Sequence, residues 1–374
     1  MRKEISWCGK MDIRNFFLAV HQGLPLTPRR RKLLTSFFGG DWEKVWESSE
    51  RDLLSANIDS RGVKKFLEFR STHTPEDTWD LMEKYEIRPI FYEDEEYPEP
   101  LKNTEQGPAV LFVKGSLLPE DFPAVSVVGA RNMTHYGQSA VENIIGTIAK
   151  NGITIVSGLA LGIDGQSHRT ALKNNARTIA VLGNGLDTIY PETHRSLAEE
   201  IIRGNRGALI SEFFPETPIN DGNFPIRNKT IAGLSLATIV VEASQRSGSL
   251  ITAQWALDFN REVFAVPGDI SRPQSAGCHR LLDQGAGLAI SGEKILEQLK
   301  IQNITIEKAQ KKKLPTMGRE AEILKLLEIG TPTDLDDLIR ESGLSNTAVI
   351  PTITTLEMSG VLENIGNGKY VRKY

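Results

Sequence analysis

The sequence predicts an α/β protein whose core is an extended Rossmann-like, doubly wound, mostly parallel sheet. The first observation is a series of short apolar runs that alternate with helix-length segments between about Val125 and Ile290. Continuous apolar strands of this kind are typical of parallel sheets that helices cover on both faces. The second observation is that turns rich in glycine and serine directly follow several of these runs. A helical domain is predicted before this core and a winged-helix domain after it.

Residues 1–86 are predicted to form the N-terminal helical domain, because apolar residues recur there at helical spacing. Thr27-Pro28 and Thr74-Pro75 have the pattern of an N-cap followed by a proline at the first helical position. One interpretation is a SAM-like helical bundle that serves packing or interaction. The alternative is a helix-hairpin-helix clamp, in which backbone amides of a glycine hairpin hold a phosphate. The corresponding hairpin, Leu24-Pro25-Leu26, contains no glycine, which weakens the clamp interpretation.

Residues 87–298 are predicted to form the extended Rossmann-like domain. A proline-broken stretch comes first and ends in a strand-like segment, Val110–Val113. The core strands are predicted at Val125–Val128, Ile153–Val156, Thr178–Leu182, Ala208–Ile210, Thr238–Val241 and Val263–Val266. Helices predicted between them include Gly137–Lys150, Thr193–Arg203 and Leu250–Phe259.

Residues 299–314 form a mostly polar stretch that is predicted to be a linker, with a basic run at Lys311–Lys313. Residues 315–374 then show three helices and a β-hairpin, which is the pattern of a winged helix. The helices are predicted at Ala321–Glu328, Leu335–Glu341 and Asn346–Met358, and the strands at Val361–Ile365 and Lys369–Val371. Gly366-Asn367-Gly368 between the two strands is a strong hairpin signal.

Composition excludes several classes of protein. The 374 residues carry 44 Lys and Arg against 48 Asp and Glu, so any anionic partner must be bound by a local arrangement of charge. Two cysteines, Cys8 and Cys278, exclude a disulfide framework and favour a reducing compartment. Neither a signal peptide nor an apolar run long enough to span a bilayer is recognisable, so we expect a cytoplasmic protein without membrane contact.

Glycine and serine occupy the turns after four of the predicted strands. The turns begin at Gly129-Ala130-Arg131, Ser157-Gly158, Gly183-Asn184-Gly185 and the stretch from Glu242 to Ser249. The carboxyl ends of parallel strands open on one edge of a sheet, so these turns are expected to line one crevice. Small residues let the backbone approach a ligand closely, and helix N-termini present unpaired N–H groups to anions. The sequence therefore predicts a phosphate-binding crevice.

Cations accompany these turns. Arg131 lies in the first turn and Arg246 in the turn after the fifth strand, while Phe224–Lys229 carries two more. Cations beside backbone donors are suited to a nucleic-acid backbone. An alternative is that these cations only pair with Glu212 or Glu242.

Several enzyme classes lack their sequence signals. No G-x-x-x-x-G-K-[ST] occurs, and Gly129-Ala130-Arg131 does not continue as G-x-G-x-x-G, so a P-loop ATPase and the usual dinucleotide site are disfavoured. The histidines show no metal-ligand spacing. Asp164 and His168 lie four residues apart and could form a catalytic couple, although a helix cap and a buried histidine are the commoner outcome. We therefore expect no catalysis, no cofactor and no metal.

Six stretches in this order resemble the DNA-processing protein A (DprA/Smf) family, and together they span nearly the whole α/β domain. They are Ser126–Arg131, Ser157–Asp164, Gly185–Pro191, Phe224–Ser235, Ser247–Ala253 and Val263–Gly268. The resemblance implies a protein that binds single-stranded DNA, forms a homodimer and loads the RecA recombinase during natural transformation, displacing or bypassing single-strand-binding protein. The flanking helical and winged-helix domains also fit the family's layout.

The resemblance assigns DNA contacts to Arg131, Ser157, Gly158, Arg227 and Lys229. With the other turn residues, the complete predicted DNA-binding set is Gly129, Arg131, Ser157, Gly158, Gly183, Arg227, Asn228, Lys229, Arg246, Ser247 and Gly248. Two positions depart from the family, which usually has Arg where Leu161 stands and Arg where Lys229 stands. Lysine keeps the charge but not the bidentate geometry of arginine.

Two further function classes remain as alternatives. The same superfamily includes nucleotide-binding proteins and nucleotide ribosyl hydrolases, whose P-G-G-x-G-T-x-x-E loop carries a glutamate. The corresponding loop here ends in Gln254 and lacks that glutamate. Transcription regulation through the winged helix is the other alternative, but residues 315–374 carry six basic against nine acidic residues, and the helix Asn346–Met358 has no Lys or Arg. Helices that bind in the major groove of DNA usually carry such cations, so we favour a role in protein contacts for this domain.

Overall fold

The computed structural model describes residues 13–301, 318–327, 330–358, 361–366 and 368–372. They form two compact units that divide after Ile295. The predicted linker beyond Ile301, with its basic run Lys311–Lys313, lies outside the described residues, as does Asn367 of the predicted hairpin turn. The domain boundaries given above stay predictions. None of the described helices is both long and apolar enough to cross a membrane.

The first unit begins with a helical layer. Its helices are α1 (Ile13–Gly23), α2 (Pro28–Phe38), α3 (Trp42–Glu47), α4 (Glu50–Ser55), α5 (Ser60–Arg70) and α6 (Pro75–Lys84). The two predicted N-caps are confirmed, because the Thr27 side chain accepts a hydrogen bond from the Arg30 amide and Thr74 forms a capping box with Asp77. Such caps satisfy amide groups that have no partner within the helix.

The hairpin between α1 and α2 has no free amide to offer a phosphate. The Leu24 amide donates to the Val20 carbonyl (2.7 Å), and the Leu26 amide donates to Nδ1 of His21 (2.9 Å). Pro25 has no N–H, and the Thr27 amide donates to the Pro25 carbonyl (3.0 Å). The structure therefore does not support the clamp interpretation, because the amides that would bind a phosphate already donate hydrogen bonds within the protein.

A nine-stranded sheet follows, in the order β1-β2-β6-β5-β4-β3-β7-β8-β9. The strands are β1 (Arg88–Phe91), β2 (Val110–Gly115), β3 (Ala124–Val128), β4 (Thr154–Ser157), β5 (Thr178–Leu182), β6 (Gly207–Ser211), β7 (Ala237–Val240), β8 (Glu262–Ala265) and β9 (Gly287–Leu288). The seven strands that follow β2 in this spatial order, from β6 to β9, are each parallel to their neighbours. Strand β2 pairs antiparallel with both β1 and β6. The predicted doubly wound, mostly parallel sheet is therefore confirmed.

Helices lie between these strands, and one more helix follows the last strand. They are α7 (Glu99–Lys102), α8 (His135–Ala140), α9 (Gly146–Lys150), α10 (Ile163–Lys173), α11 (Arg195–Ile202), α12 (Asn223–Gly233), α13 (Ser249–Asp258), α14 (Ala276–Asp283) and α15 (Gly292–Gln298). A π-helical turn, Val141–Ile145, joins α8 to α9, so the predicted helix Gly137–Lys150 is continuous but not regular.

Two apolar clusters cover the two faces of the sheet. Ala180 and Leu182 of β5 pack in the cluster that includes the N-terminal helices and α11. Ile179 and Val181 of the same strand pack in the other cluster, with α12, α13 and α14. Successive residues of a strand point to opposite faces, so both faces of β5 are buried. This two-sided burial is the physical reason for the unbroken apolar runs in the sequence.

The second unit contains the predicted winged helix. Its described elements are α16 (Arg319–Lys325), β10 (Pro332–Asp334), α17 (Leu335–Ser342), α18 (Asn346–Met358), β11 (Leu362–Gly366) and β12 (Lys369–Arg372). The three strands form an antiparallel sheet in the order β10-β12-β11. Val349, Ile353 and Leu356 of α18 are buried in this unit's own core, whereas Ile350 is half exposed.

Candidate nucleic-acid interface

A cavity of about 340 Å³ opens at the carboxyl edge of the parallel sheet. It lies where the chain, having added β4, β5 and β6 on one side of β3, continues with β7 on the other side. Ligands of open α/β sheets bind at such switch points. The residues lining this cavity, which we call the edge pocket, include Gly129, Arg131, Asp164, Phe224, Arg227, Asn228, Ser247 and Gly248.

Arg131 is the exposed cation of the edge pocket. Its guanidinium carbon lies 5.4 Å from the centroid of the Phe224 ring, which is within the range of a cation–π interaction. Within the described residues, no carboxylate lies close enough to form an ion pair with it. Arg131 therefore keeps an exposed charge that can reach a phosphate, although the same charge also acts to lower the pKa of the buried Asp164 carboxyl.

Arg227, by contrast, is 6 % exposed and is held from several sides. Its Nη1 donates to the carbonyl oxygens of Gly158 and Val181, the latter at 2.9 Å, and its Nε donates to Oδ1 of Asn228 at 3.0 Å. Burial lowers the pKa of its guanidinium, although the Asp164 carboxylate acts in the opposite direction. Arg227 thus ties the start of α12 to the ends of β4 and β5.

Gly158 makes this arrangement possible because it has no side chain. A Cβ atom at this position would overlap the Arg227 guanidinium and would lie 2.8 Å from Oδ2 of Asp164. The Gly158 amide donates to that same Oδ2 at 3.1 Å. Burial raises the pKa of the Asp164 carboxyl, and the Arg227 charge and the amide donors oppose this effect.

A second, smaller cavity of about 50 Å³ adjoins the edge pocket and shares Arg131, Phe224 and Arg227 with it. Gly158, Gly183 and Tyr190 also line this cavity. The rings of Tyr190 and Phe224 stack with centroids 6.1 Å apart at an angle of 28°. Two aromatic side chains thus lie beside the exposed cation.

The loop after β7 closes one side of the edge pocket. The hydroxyls of Ser247 and Ser249 are hydrogen-bonded at 2.7 Å, and the Gly248 carbonyl accepts a hydrogen bond from Nδ2 of Asn228 at 3.3 Å. Arg246 of this loop is exposed but does not line the pocket. The predicted residues Asn228, Ser247 and Gly248 are therefore at the pocket, whereas Arg246 is beside it.

Two other predicted site residues lie elsewhere. Ser157 is fully buried, and its hydroxyl donates to the Val127 carbonyl at 2.6 Å, which joins β4 to β3. Lys229 lines a separate cavity of about 820 Å³ on another face of α12, together with Glu212. Burial raises the pKa of Glu212, and the Lys229 charge opposes that shift. Glu242 instead accepts hydrogen bonds from Thr134, so it does not neutralise a cation of the edge pocket.

Asp164 and His168 do not act as a couple. Asp164 accepts from the Gly158 amide, whereas Nδ1 of the fully buried His168 is hydrogen-bonded to Oγ1 of Thr178 at 2.7 Å. Burial, with smaller contributions from neighbouring charges, lowers the pKa of His168 to about 3. The imidazole is therefore neutral and structural at physiological pH.

His168 is expected to make the protein sensitive to mild acid. Between about pH 3 and pH 6.5 the unfolded chain binds a proton at this residue that the folded chain does not. The free energy of unfolding should therefore fall as the pH falls through about 6.5, with a slope that approaches about 1.4 kcal/mol per pH unit for each such histidine well below pH 6.5. Burial likewise lowers the pKa of His21 to about 4.

Urea unfolding at several pH values between 7 and 5 tests this expectation. A His168→Gln variant should retain only the part of the pH dependence that comes from the other groups, including His21. An equally steep pH dependence in the variant and the parent protein would contradict it.

Phe224 and Tyr190 were not among the predicted site residues. A signal for Phe224 was present, because it lies three residues before Arg227 and such residues share a helix face. Nothing in the local sequence places Tyr190 beside it. Within the described ranges, no three His, Cys, Asp or Glu residues come together in a way that could hold a metal ion.

These features define a Rossmann-like α/β protein with a winged helix as a second unit. The pocket at the carboxyl edge of its sheet is lined by two arginines, two aspartates and the Phe224 ring. The family described as DNA recombination-mediator protein A matches residues 88–300, and the DprA winged helix domain matches residues 307–368. The chain belongs to the DprA/Smf family, as its sequence motifs indicate.

Individual relatives agree with this assignment. Protein Smf of Escherichia coli is 35 % identical over 352 residues, which cover 91 % of this chain and 93 % of that protein. The DNA processing protein DprA of Streptococcus pneumoniae is 40 % identical over 255 residues, or 67 % of this chain and 89 % of that protein.

Two solved structures share the fold. The X-ray structure of DprA from Streptococcus pneumoniae matches with a TM-score of 0.67 and 35 % identity, covering 77 % of this chain and 98 % of that one. A structure that describes the single-stranded DNA binding mode of DNA processing protein A from Helicobacter pylori matches with a TM-score of 0.52 and 28 % identity. It covers 57 % of this chain and 96 % of that one.

Proposed function

We propose that this protein binds single-stranded DNA in the edge pocket and helps to load the RecA recombinase onto the bound strand during DNA uptake and recombination. The observation that carries the proposal is the exposed guanidinium of Arg131, which has no carboxylate partner among the described residues and lies against the Phe224 ring. Proteins that bind single strands combine cations for the phosphates with aromatic rings for the bases. The relative from Helicobacter pylori, whose structure concerns single-stranded DNA binding, supports the same partner.

The proposal includes three protein partners: RecA, single-strand-binding protein and a second copy of this chain. The resemblance to the family motivates all three. The second copy has additional support, because β9 forms one edge of the sheet and the side chains of Leu288 and Ile290 at that edge are 39 % and 55 % exposed. The winged helix belongs with these protein contacts, since its sequence is acidic overall. The cytoplasm, where RecA acts, is the proposed location.

No catalytic step forms part of this proposal. The nucleotide hydrolases of the superfamily use a glutamate in the loop where this chain has Gln254. The Gln254 side-chain amide donates to Oδ1 of Asp258 within α13 at 2.9 Å. Incubation with nucleoside monophosphates should therefore release no free base, and ATP should remain intact. Sustained turnover of either substrate would favour the enzyme alternative.

A salt titration of binding to single-stranded and duplex DNA of equal length tests the proposal. The protein should bind the single strand more tightly, and its affinity should fall as salt rises because phosphate contacts release counterions. Replacing Arg131 with alanine should remove one phosphate contact, so the slope of log K against log salt should become shallower by about 0.7.

Lys173→Ala is the matched control for Arg131→Ala. Lys173 is exposed, and as the last residue of α10 it lies near the amino end of β5, at the opposite edge of the sheet. This variant should keep the parent affinity and slope. Equal affinity for duplex and single strand, or an unchanged slope in a folded Arg131→Ala protein, would contradict the proposal.

A further inference from the structure

The N-terminal helices carry a second concentration of positive charge, remote in sequence from the edge pocket. Exposed cations lie on the outer sides of α2 and α5. This surface, which we call the basic face, is formed by Arg29, Lys32, Arg61, Lys64 and Lys65. None of these residues lines the edge pocket.

Arg30 connects the two helices that form the basic face. Its Nη2 donates to Oδ2 of Asp59 at 2.6 Å, and Asp59 is the N-cap of α5. Its Nη1 donates to the Pro25 carbonyl in the α1–α2 hairpin at 3.2 Å. A Cβ on Gly62 would lie 3.1 Å from Nη2 of Arg30, so the Arg30 side chain reaches from the first turn of α2 to the first turn of α5.

The cations of the basic face are on the solvent side of their helices. Along α2, Arg31 and Leu34 are buried, whereas Arg29 and Lys32 are exposed. Along α5, the buried residues are Gly62, Val63 and Phe66, which leaves Arg61, Lys64 and Lys65 on the other side. These five side chains therefore point away from the core that holds the helices together.

Few acidic side chains balance this charge. Asp59 is already hydrogen-bonded to Arg30, and Glu68 lies 4.0 Å from Lys64. Within the part of the chain that the structure describes, Arg29, Lys32, Arg61 and Lys65 form no ion pair. Four unneutralised cations on a chain with a net charge of −4 produce a local positive field, which attracts a polyanion.

An aromatic ring extends the basic face. Phe37 of α2 is 49 % exposed and lies two turns after Arg29, and its ring packs edge-on against Phe38 with centroids 4.9 Å apart. Proteins that bind single-stranded nucleic acids combine cations with exposed aromatic side chains, because a base can stack on the ring while the cations neutralise the phosphates. This combination favours a nucleic acid over an acidic protein segment.

We propose that the basic face is a second contact for the backbone of a single DNA strand, separate from the edge pocket. The choice of DNA as the partner rests on the proposed function. The contact is made by side chains, since the amides of the neighbouring α1–α2 hairpin are already engaged. A strand long enough to reach beyond the edge pocket gains affinity from the basic face, whereas a very short one does not.

The test compares two triple variants of the full chain. R29Q/R61Q/K65Q removes three charges from the basic face, and K150Q/K173Q/R203Q removes three exposed charges near the amino ends of β4, β5 and β6. With a long single strand at about 50 mM salt, the first variant should bind about tenfold more weakly, and its salt slope should be shallower by about two. The second variant should match the parent protein.

A short strand, a conservative variant and a stability measurement complete the test. A trinucleotide should bind the parent and the first variant equally, and the conservative variant R29K/R61K/K65R should restore the affinity for the long strand. The urea concentration at the midpoint of unfolding should match that of the parent protein, because the substituted residues are exposed.

If R29Q/R61Q/K65Q keeps the parent affinity and the parent salt slope, the inference is wrong, and an acidic protein segment becomes the favoured partner of the basic face. If only that variant is unaffected while Arg131→Ala weakens binding, the proposed function stands without this inference. If neither change affects binding to the long strand, the proposed function itself fails.

Discussion

Replacing Arg227 with methionine is expected to lower the free energy of unfolding by about 3 kcal/mol, because it breaks a buried charged arrangement by removing one member. The carbonyls of Gly158 and Val181 would lose their guanidinium donor, and the buried Asp164 would lose the cation that opposes the rise in its pKa. Affinity for single-stranded DNA should fall as well, since Arg227 lines both the edge pocket and the smaller cavity beside it.

Urea unfolding of a double-mutant cycle with Asp164→Asn measures this effect. Asparagine removes the charge but keeps an oxygen that can accept from the Gly158 amide. The double variant should therefore be more stable than the sum of the two single changes predicts. A loss of less than about 1 kcal/mol in Arg227→Met would mean that the guanidinium is replaceable at this position. Arg131→Ala provides the contrast, because an exposed side chain should change stability by no more than about 0.5 kcal/mol.

Replacing Gly162 with alanine is expected to have an effect of similar size through the backbone alone. Gly162 has φ +75°, and a Cβ there would overlap the carbonyl oxygens of Ala130 and Arg131. Backbone atoms cannot rotate away as a side chain can, so the turn that carries Arg131 must shift. We expect a loss of more than about 2 kcal/mol in stability, because this clash adds to the strain of a side chain at φ +75° and ψ −125°, a conformation that suits glycine. Affinity for single-stranded DNA should fall with it.

Gly152→Ala is the matched control for this prediction. Gly152 also has φ +75°, but among the described residues no heavy atom outside its chain neighbours lies within 4 Å of the position its Cβ would take. This variant should show only the conformational penalty and should keep the parent affinity for DNA. Equal losses of stability in the two variants, measured by urea unfolding, would show that the contact with the Arg131 turn is unimportant.

The core architecture of this protein is predictable from its amino-acid sequence. The six core strands were predicted to within one residue at each end, because strands buried on both faces must be continuous apolar runs. The glycine-rich turns were predicted to share one edge, because parallel strands run in the same direction and their carboxyl ends lie at the same edge of the sheet. The short strands β1, β9 and β10 were not predicted, because two to four residues at a sheet edge leave almost no pattern.

Which cations are available for a ligand depends on how the strands and helices pack in three dimensions. Arg131, Arg227 and Lys229 look equivalent in the sequence, yet one is exposed in the edge pocket, one is buried beneath it, and one lines another cavity. Residues 227 and 229 are two positions apart on a helix, so they point in nearly opposite directions. Arg227 can be buried because Gly158, 69 residues earlier, leaves room for its guanidinium. No local pattern contains that information, because the fit between these residues exists only after the strands have come together.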